Sequence, residues 1–382
     1  MDVEGARAMK KIKVAFVKFG GLAAGGTEKY LQTLACHLPR EEFEVDYYYT
    51  DAAPLMGNSW EHPDTDPERQ KYMQRHGINL IKVECAARDD RRGPPYEWVG
   101  TDFWDLFDEG KYDLVQTGRS GYREFPFDRM ENTKFIDSIH SEGATGIEKR
   151  DNILKTVLLS EAHVARWLSN GGDPTKVEII SPLVEMPPLL QSTLRKDNQI
   201  SDSAYIFGMH QGNRNDIYSP IPLEAYSLIE NKDTMFVLLG GSAKYRHQAR
   251  QLGIENIRFI DFTGNADKIH NFVSGLDVFA HGRLDGEVCS AAIIEALYHG
   301  KPVVSHTAQN MGHAEQIRGC GFMASSVTEY ANYMVQLLKN QEAYDTLSTA
   351  ASEKYKTLYS LDSCLTRYIA LYKDALKNAK TI

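Results

Sequence analysis

Short apolar runs alternate with amphipathic stretches along this chain. The first run, IKVAFVKF (12–19), reads as a buried strand. A glycine-bearing loop, GGLAAGGTEK, then leads into TEKYLQTLACHL, where Tyr30, Leu31, Leu34, Ala35 and Leu38 recur at the spacing of one helical face. FEVDYYYT, YDLVQTG, KFIDSIH and KTVLLSE read as further strands. Strands alternating with helices imply crossover connections and a parallel sheet.

The pattern breaks between Pro182 and Ser203, in a proline-bearing and then polar stretch, PLVEMPPLLQSTLRKDNQISDS. A second alternating series follows: AYIFGMH (204–210), MFVLLGG (235–241), IRFIDF (257–262), LDVFAHG (276–282) and KPVVSH (301–306). The expectation is an α/β protein with two Rossmann-like, doubly wound domains facing a cleft. Residues 1–185 form the first domain, 186–202 the hinge and 203–358 the second. Residues 359–382 read as an amphipathic helix, with Leu365, Tyr368, Ile369 and Tyr372 on one face, expected to pack back onto the first domain. The segment ARDDRRGPPYEWVG (87–100) reads as a solvated excursion.

Length agrees, since 382 residues are long for one core and suit two. Hydrophobic content of 42% and charged content of 25% are those of a soluble globular protein. A formal charge of -9 argues against nucleic acid as the main partner. The five cysteines are scattered, with no C-x-x-C pair, which suits a reducing compartment better than a disulfide framework or zinc site. The opening MDVEGARAMKKIKVAFVKFGG lacks a signal-peptide pattern, and no run approaches a membrane span. A cytoplasmic location is expected, leaving room for peripheral contact with a membrane.

Ligands of open parallel sheets bind beyond the carboxyl ends of the strands. Two loops there can carry chemistry. In GGLAAGGTEK, Gly20, Gly21, Gly25 and Gly26 allow close backbone approach to an anion, and the next helix offers its positive end. The spacing is not G-x-G-x-x-G, so a dinucleotide site is poorly supported, and a plain strand–helix turn explains the loop about as well. The second is GEVCSAAIIEALYHGKPVVS (286–305), with Glu287 before a helix and Glu295 within it, seven residues between them. Its apolar side is expected to be Ala291, Ile294, Leu297 and Tyr298. Helical side chains tilt toward the amino end, so Glu295 would lean back toward the cleft mouth where Glu287 sits. Two carboxylates accept hydrogen bonds from hydroxyls, while a helix start near Val288 to Ala291 attracts phosphate. A nucleotide sugar has both. A buried, paired glutamate is the alternative for Glu295.

This stretch resembles the Glu-x7-Glu signature of retaining glycosyltransferases of GT-B architecture, in the large family-four group (glycosyltransferase group 1). The resemblance covers nearly the whole chain: GGTEKYLQTLACHL, FIDSIHSEG, VLLSEAHVARWLSNGGDPTKVEIISPLVE, FTGNADKIHNFVSGLDVFAHG and EALYHGKPVVSHTAQNMGHAEQI follow in the family's order. It implies transfer of a sugar from a UDP- or GDP-linked donor to a hydroxyl acceptor, a glycan or glycolipid, with the donor as substrate and no cofactor. Glu287 would bind the donor sugar's hydroxyls and Glu295 the ribose. Gly25 and Gly26 would lie near the donor phosphates, and His140 beside the transferred sugar. Gly241, Asn265, Val288, Cys289 and Ser290 complete the donor site, with Ser290 suited to cap its helix. The catalytic set would be His140, Glu287 and Arg214. One departure concerns the diphosphate clamp, usually an arginine followed closely by a lysine. FGMHQGNRNDIYSPIPLEAY offers Arg214, but Asp216 or Ile217 stands where the lysine is expected, leaving Lys244 or Arg283 as substitutes.

HPDTDPER (62–69), with Asp64 and Asp66, reads as a surface turn, and no His/Cys/Asp cluster has metal-ligand spacing, so metal independence is expected. Two other classes remain: a nucleotide-sugar epimerase on the same architecture, and an inactive nucleotide-sugar-binding protein, which the missing lysine keeps open.

Overall fold

Two parallel sheets, one in each half of the chain, organise the computed structural model. It describes residues 10–18, 21–23, 26–51, 55–56, 65–89, 97–119, 124–140, 150–189, 191–212 and 214–379. The chain divides into two compact units: Met1–Leu159 with Val164–Leu183 and Cys364–Ile382, and Ser160–His163 with Val184–Ser363. The stretch expected as a hinge packs on the second unit, where Ser192 Oγ donates to the Asn271 carbonyl (2.6 Å) and Arg195 pairs with Asp277 (3.1 Å).

The first unit holds a seven-stranded sheet in the order Val177–Ile179, Ile153–Leu158, Phe135–Ile139, Leu114–Arg119, Ile12–Val17, Phe43–Tyr49, Asn79–Lys82, all parallel. Central strands of such a sheet are covered on both faces and must be apolar throughout. Val14, Ala15, Phe16 and Val17 are accordingly buried. The two edge strands are short and only partly buried, so neither carries the apolar run that marks the others, and the pattern misses both. The 87–100 segment also differs from expectation. Ala87–Asp89 and Glu97–Val99 pair antiparallel, and Trp98 is buried.

The C-terminal helix, Leu361–Asn378, lies from Cys364 onward in the first unit. Tyr372 donates a hydrogen bond to Gln116 Oε1 (2.7 Å), and the Tyr368 hydroxyl lies 3.1 Å from Ser138 Oγ. Its buried face is Cys364, Tyr368, Leu371, Tyr372 and Ala375. Leu365 and Ile369, expected on that face, are half-buried on its flank, because the tyrosine hydroxyls turn the helix toward polar partners in the sheet.

The second unit holds six parallel strands in the order Ile257–Ile260, Thr234–Leu239, Tyr205–His210, Val278–Ala280, Val303–His306, Gly321–Ala324. The chain winds outward from Tyr205–His210 on one side, then returns to its other side at Val278–Ala280. That reversal opens a crevice above the carboxyl ends of these two strands. Among the described residues, no helix is long and apolar enough to cross a membrane, and all five cysteines are free thiols.

Candidate active site

His210 ends one strand at the second unit's reversal point, and His281 immediately follows the other. Both glutamates of the Glu-x7-Glu stretch meet these histidines. Glu295 is the fifth residue of the helix Ala291–Tyr298, and its Oε2 lies 2.8 Å from His210 Nε2, out of line for a full hydrogen bond. The His210 ring stands edge-on to Phe272 and Phe279. The buried side of this helix is Ile293, Ile294, Ala296 and Leu297. Ala291, expected on that side, is exposed and Tyr298 is half-buried, because the helix turns its Ile293–Leu297 face to the core.

Glu287 ends a two-residue strand, Gly286–Glu287, paired parallel with Asn310–Met311. Gly286 sits at φ +73°, and a Cβ there would fall 2.0 Å from the Asn310 carbonyl oxygen. A Cβ on Gly312 would fall 1.9 Å from the Val288 carbonyl oxygen. Backbone therefore packs directly on backbone at two points flanking Glu287, which only glycine permits. Glu287 Oε1 lies 3.4 Å from His281 Nε2. Burial opposes its charge, but the His281 hydrogen bond, the charges of His281 and Arg283 and a Ser290 contact outweigh it and hold the carboxyl below its usual range. Ser290 caps the helix, its Oγ accepting from the Ile293 N–H (3.4 Å). Gln316 grips the Ser290 backbone from both sides, accepting from its N–H (2.7 Å) and donating to its carbonyl (3.0 Å). Val288 and Cys289 are half-buried between.

The other donor-site candidates of this unit lie at the same edge of the sheet. Gly241 follows Thr234–Leu239 at φ +84°, its N–H donating to the Tyr218 hydroxyl (2.9 Å). Arg246 donates to the carbonyls of Gly240 and Gly241, both at 3.2 Å. Asn265 caps the helix Ala266–Ser274, accepting from the Lys268 N–H (3.0 Å). Arg214 is exposed and doubly bonded to Asp216, Nε to Oδ1 at 3.0 Å and Nη2 to Oδ2. Arg283 pairs with Asp285 in the same i, i+2 manner (2.8 Å). Lys244 is exposed, its backbone N–H 3.4 Å from Asn215 Oδ1.

In the first unit His140 follows the strand Phe135–Ile139 and meets the edge of Tyr30, ring centroids 4.2 Å apart. Gly26 is the exposed first residue of the helix Gly26–His37, with nothing crowding it. Gly25 and Asp64 lie outside the described residues, and Asp66 caps the helix Pro67–Arg75 by accepting from the Glu68 N–H (2.9 Å). Sequence reasoning missed His210, His281 and His313. The first two end apolar runs at strand termini, a visible signal, but only the sheet order shows that these two termini adjoin.

Residues 220–340, which contain both glutamates, match the model of the family described as glycosyl transferases group 1. The match covers this part of the second unit and marks it as similar to that family. The chain shares its fold with several solved structures. A glycosyltransferase from Rickettsia africae ESF-5 is 14% identical, with 96% of this chain and 99% of that one covered and a TM-score of 0.70. Anabaena Alr3699/HepE, solved in complex with UDP and glucose, is 16% identical over 95% of this chain and 100% of that one, with a TM-score of 0.68. Sucrose-phosphate synthase from Thermosynechococcus elongatus is 16% identical over 96% and 100%, with a TM-score of 0.65. At these identities the likeness is one of fold, two doubly wound α/β units of the GT-B kind. No curated protein matches the chain in sequence.

Proposed function

We propose that this chain is a group 1 glycosyltransferase that moves a sugar from a nucleoside-diphosphate sugar to a hydroxyl acceptor, a glycan or glycolipid, with retention at the anomeric carbon. The observation that carries this reading is the placement of Glu287 and Glu295 at the strand reversal of the second unit, where such sheets take ligands. Glu295 receives the ribose hydroxyls and Glu287 those of the sugar, while the amino end of the Ala291–Tyr298 helix, with Val288 to Ser290, faces the diphosphate. Gly241 and Asn265 complete the donor site, and the resemblance assigns Gly25 and Gly26 to the phosphates and His140 to the transferred sugar.

Chemistry then rests on stabilising charge on the departing diphosphate. Arg214 supplies the cation after leaving Asp216, an exchange that an exposed ion pair resists only weakly. The sugar, oxocarbenium-like, is attacked on the face the diphosphate vacates. Among the described residues no three His, Cys, Asp or Glu side chains are grouped to hold a metal ion. Turnover is expected to survive a chelator; loss of activity in EDTA, restored by manganese, would refute the metal-free scheme. The acceptor in this scheme is free or membrane-borne.

The test is incubation with a panel of UDP- and GDP-sugars, beginning with UDP-glucose because Anabaena HepE has been solved with that donor. Release of the free nucleoside diphosphate and an α-linked product from an α-linked donor are expected. An isomeric nucleotide sugar would mean an epimerase instead. Binding without release would favour a second reading, a nucleotide-sugar-binding protein, for which the engagement of Arg214 by Asp216 speaks.

A further inference from the structure

Three imidazoles, those of His281, His306 and His313, are buried behind Glu287, each at most 3% exposed. Burying polar rings costs more than filling the same space with aliphatic side chains, so their bonds have to compensate. Those of His313 leave no freedom. Its Nδ1 lies 3.4 Å from the Glu287 backbone nitrogen, whose N–H can only donate. Its Nε2 lies 3.0 Å from the His306 carbonyl oxygen, which can only accept. The ring therefore has one possible form, neutral, with hydrogen on Nε2 and the Nδ1 lone pair turned to Glu287. The carboxylate end of Glu287 is held separately. A carboxylate only accepts, so His281 Nε2 donates to Oε1 across 3.4 Å, while His281 Nδ1 lies 2.8 Å from Ser305 Oγ. The two rings lie 5.2 Å apart, tilted by 34°.

The geometry points to His313 as a positioning residue for Glu287: its Nδ1 accepts the main-chain N–H of that residue, which fixes the backbone from which His281 aims the carboxylate. The Nε2 bond to the His306 carbonyl serves only to set the ring's tautomer. This rests on the reading that Glu287 meets the donor sugar. The anchor point makes the role more than filling. His313 binds the backbone of the glutamate itself, and the Gly312–Val288 approach clamps the next residue in the same junction. Burial, then the nearby His281, push the His313 pKa down to about 4, which keeps the required neutral ring at neutral pH.

Two substitutions separate positioning from simple structural support, because an asparagine amide falls near the place of Nδ1 and a glutamine amide near that of Nε2. His313→Asn keeps an acceptor for the Glu287 N–H. His313→Gln keeps only the donor to the His306 carbonyl. The probes are UDP and UDP-glucose, with GDP and GDP-mannose as a parallel pair. Calorimetric titration should give both variants wild-type affinity for the bare nucleotide, since the ribose and phosphates are bound elsewhere. His313→Gln should lose kcat about tenfold, the worth of one oriented hydrogen bond, and His313→Asn should stay within about threefold of wild type. Equal losses in the two variants, whether of turnover or of thermal stability, overturn the positioning role, as does unchanged turnover in His313→Gln. A wild-type chain that binds neither nucleotide and releases none from either sugar overturns the functional reading, and the positioning role with it.

Discussion

Replacing Glu295 by glutamine tests whether this helix carries a ligand-binding carboxylate or a structural ion pair. The structure offers both. Glu295 Oε2 lies 2.8 Å from His210 Nε2, each side chain is about 13% exposed, and the atoms are poorly aligned. A glutamine fits the same space, so the substitution removes charge without opening a cavity. If the carboxylate's task is to accept from ribose hydroxyls, losing a hydrogen bond to a charged group costs about 1.5–3 kcal/mol, a ten- to hundredfold weaker UDP or GDP. Glutamine keeps the side chain's size and one acceptor oxygen, so on the ribose reading the free protein should keep its melting temperature within a few degrees. Glu287→Gln, one loop away, should spare bare-nucleotide affinity and lower turnover of the intact donor. Calorimetric titration of both variants with bare nucleotide and intact donor, beside thermal unfolding without ligand, reads all of this. A large loss of free-protein stability in Glu295→Gln with wild-type nucleotide affinity would refute the ribose assignment. Equal effects of the two substitutions on the bare nucleotide would refute the division of labour.

Asp216→Asn frees the Arg214 guanidinium and removes a negative charge beside the proposed diphosphate; UDP or GDP binding should tighten by about two- to fivefold, and Arg214→Ala should weaken it about tenfold, both read by titration. If neither changes, the clamp lies elsewhere. Acid should unfold the second unit through His313, whose pKa falls from 6.5 unfolded to about 4 folded, in the company of His281, His306 and Glu287. The unfolded chain binds the extra proton, so this contribution is complete above pH 6.5 and is lost as pH falls toward 4, by about 2 kcal/mol between pH 7 and 5. Urea midpoints at those two pH values should fall for the wild type and by less for His313→Asn, the remainder coming from His299, which burial likewise pushes down to about 4. Tyr372→Phe strips the buried Gln116 Oε1 of its donor and should cost about 1–3 kcal/mol in urea unfolding; no change would mean that the C-terminal helix is held by packing alone.

The buried strands were legible from the chain because a parallel sheet covered on both faces demands continuous apolar runs, and Ile12–Val17, Tyr205–His210 and Thr234–Leu239 carry them. The edge strands Asn79–Lys82, Val177–Ile179 and Gly321–Ala324 were not, since an edge needs no such run. Local spacing also determined that Glu287 precedes a helix and Glu295 lies within it, and that Ser290 can cap it. What local spacing cannot contain is which strand ends become neighbours. His210, His281 and His313 are separated by 71 and 32 positions along the sequence. Only the return of the chain across Tyr205–His210 sets His210 against Glu295, whereas His281 meets Glu287 across a short local loop. The engagement of Arg214 by Asp216 is local, yet it too is decided only in the folded chain, because a charge two residues away can point to solvent as easily as to its neighbour. The hydrophobic pattern decided the layers of this protein, and sheet order decided which polar side chains share a site, because periodicity records which face of an element is buried but not what lies across from it.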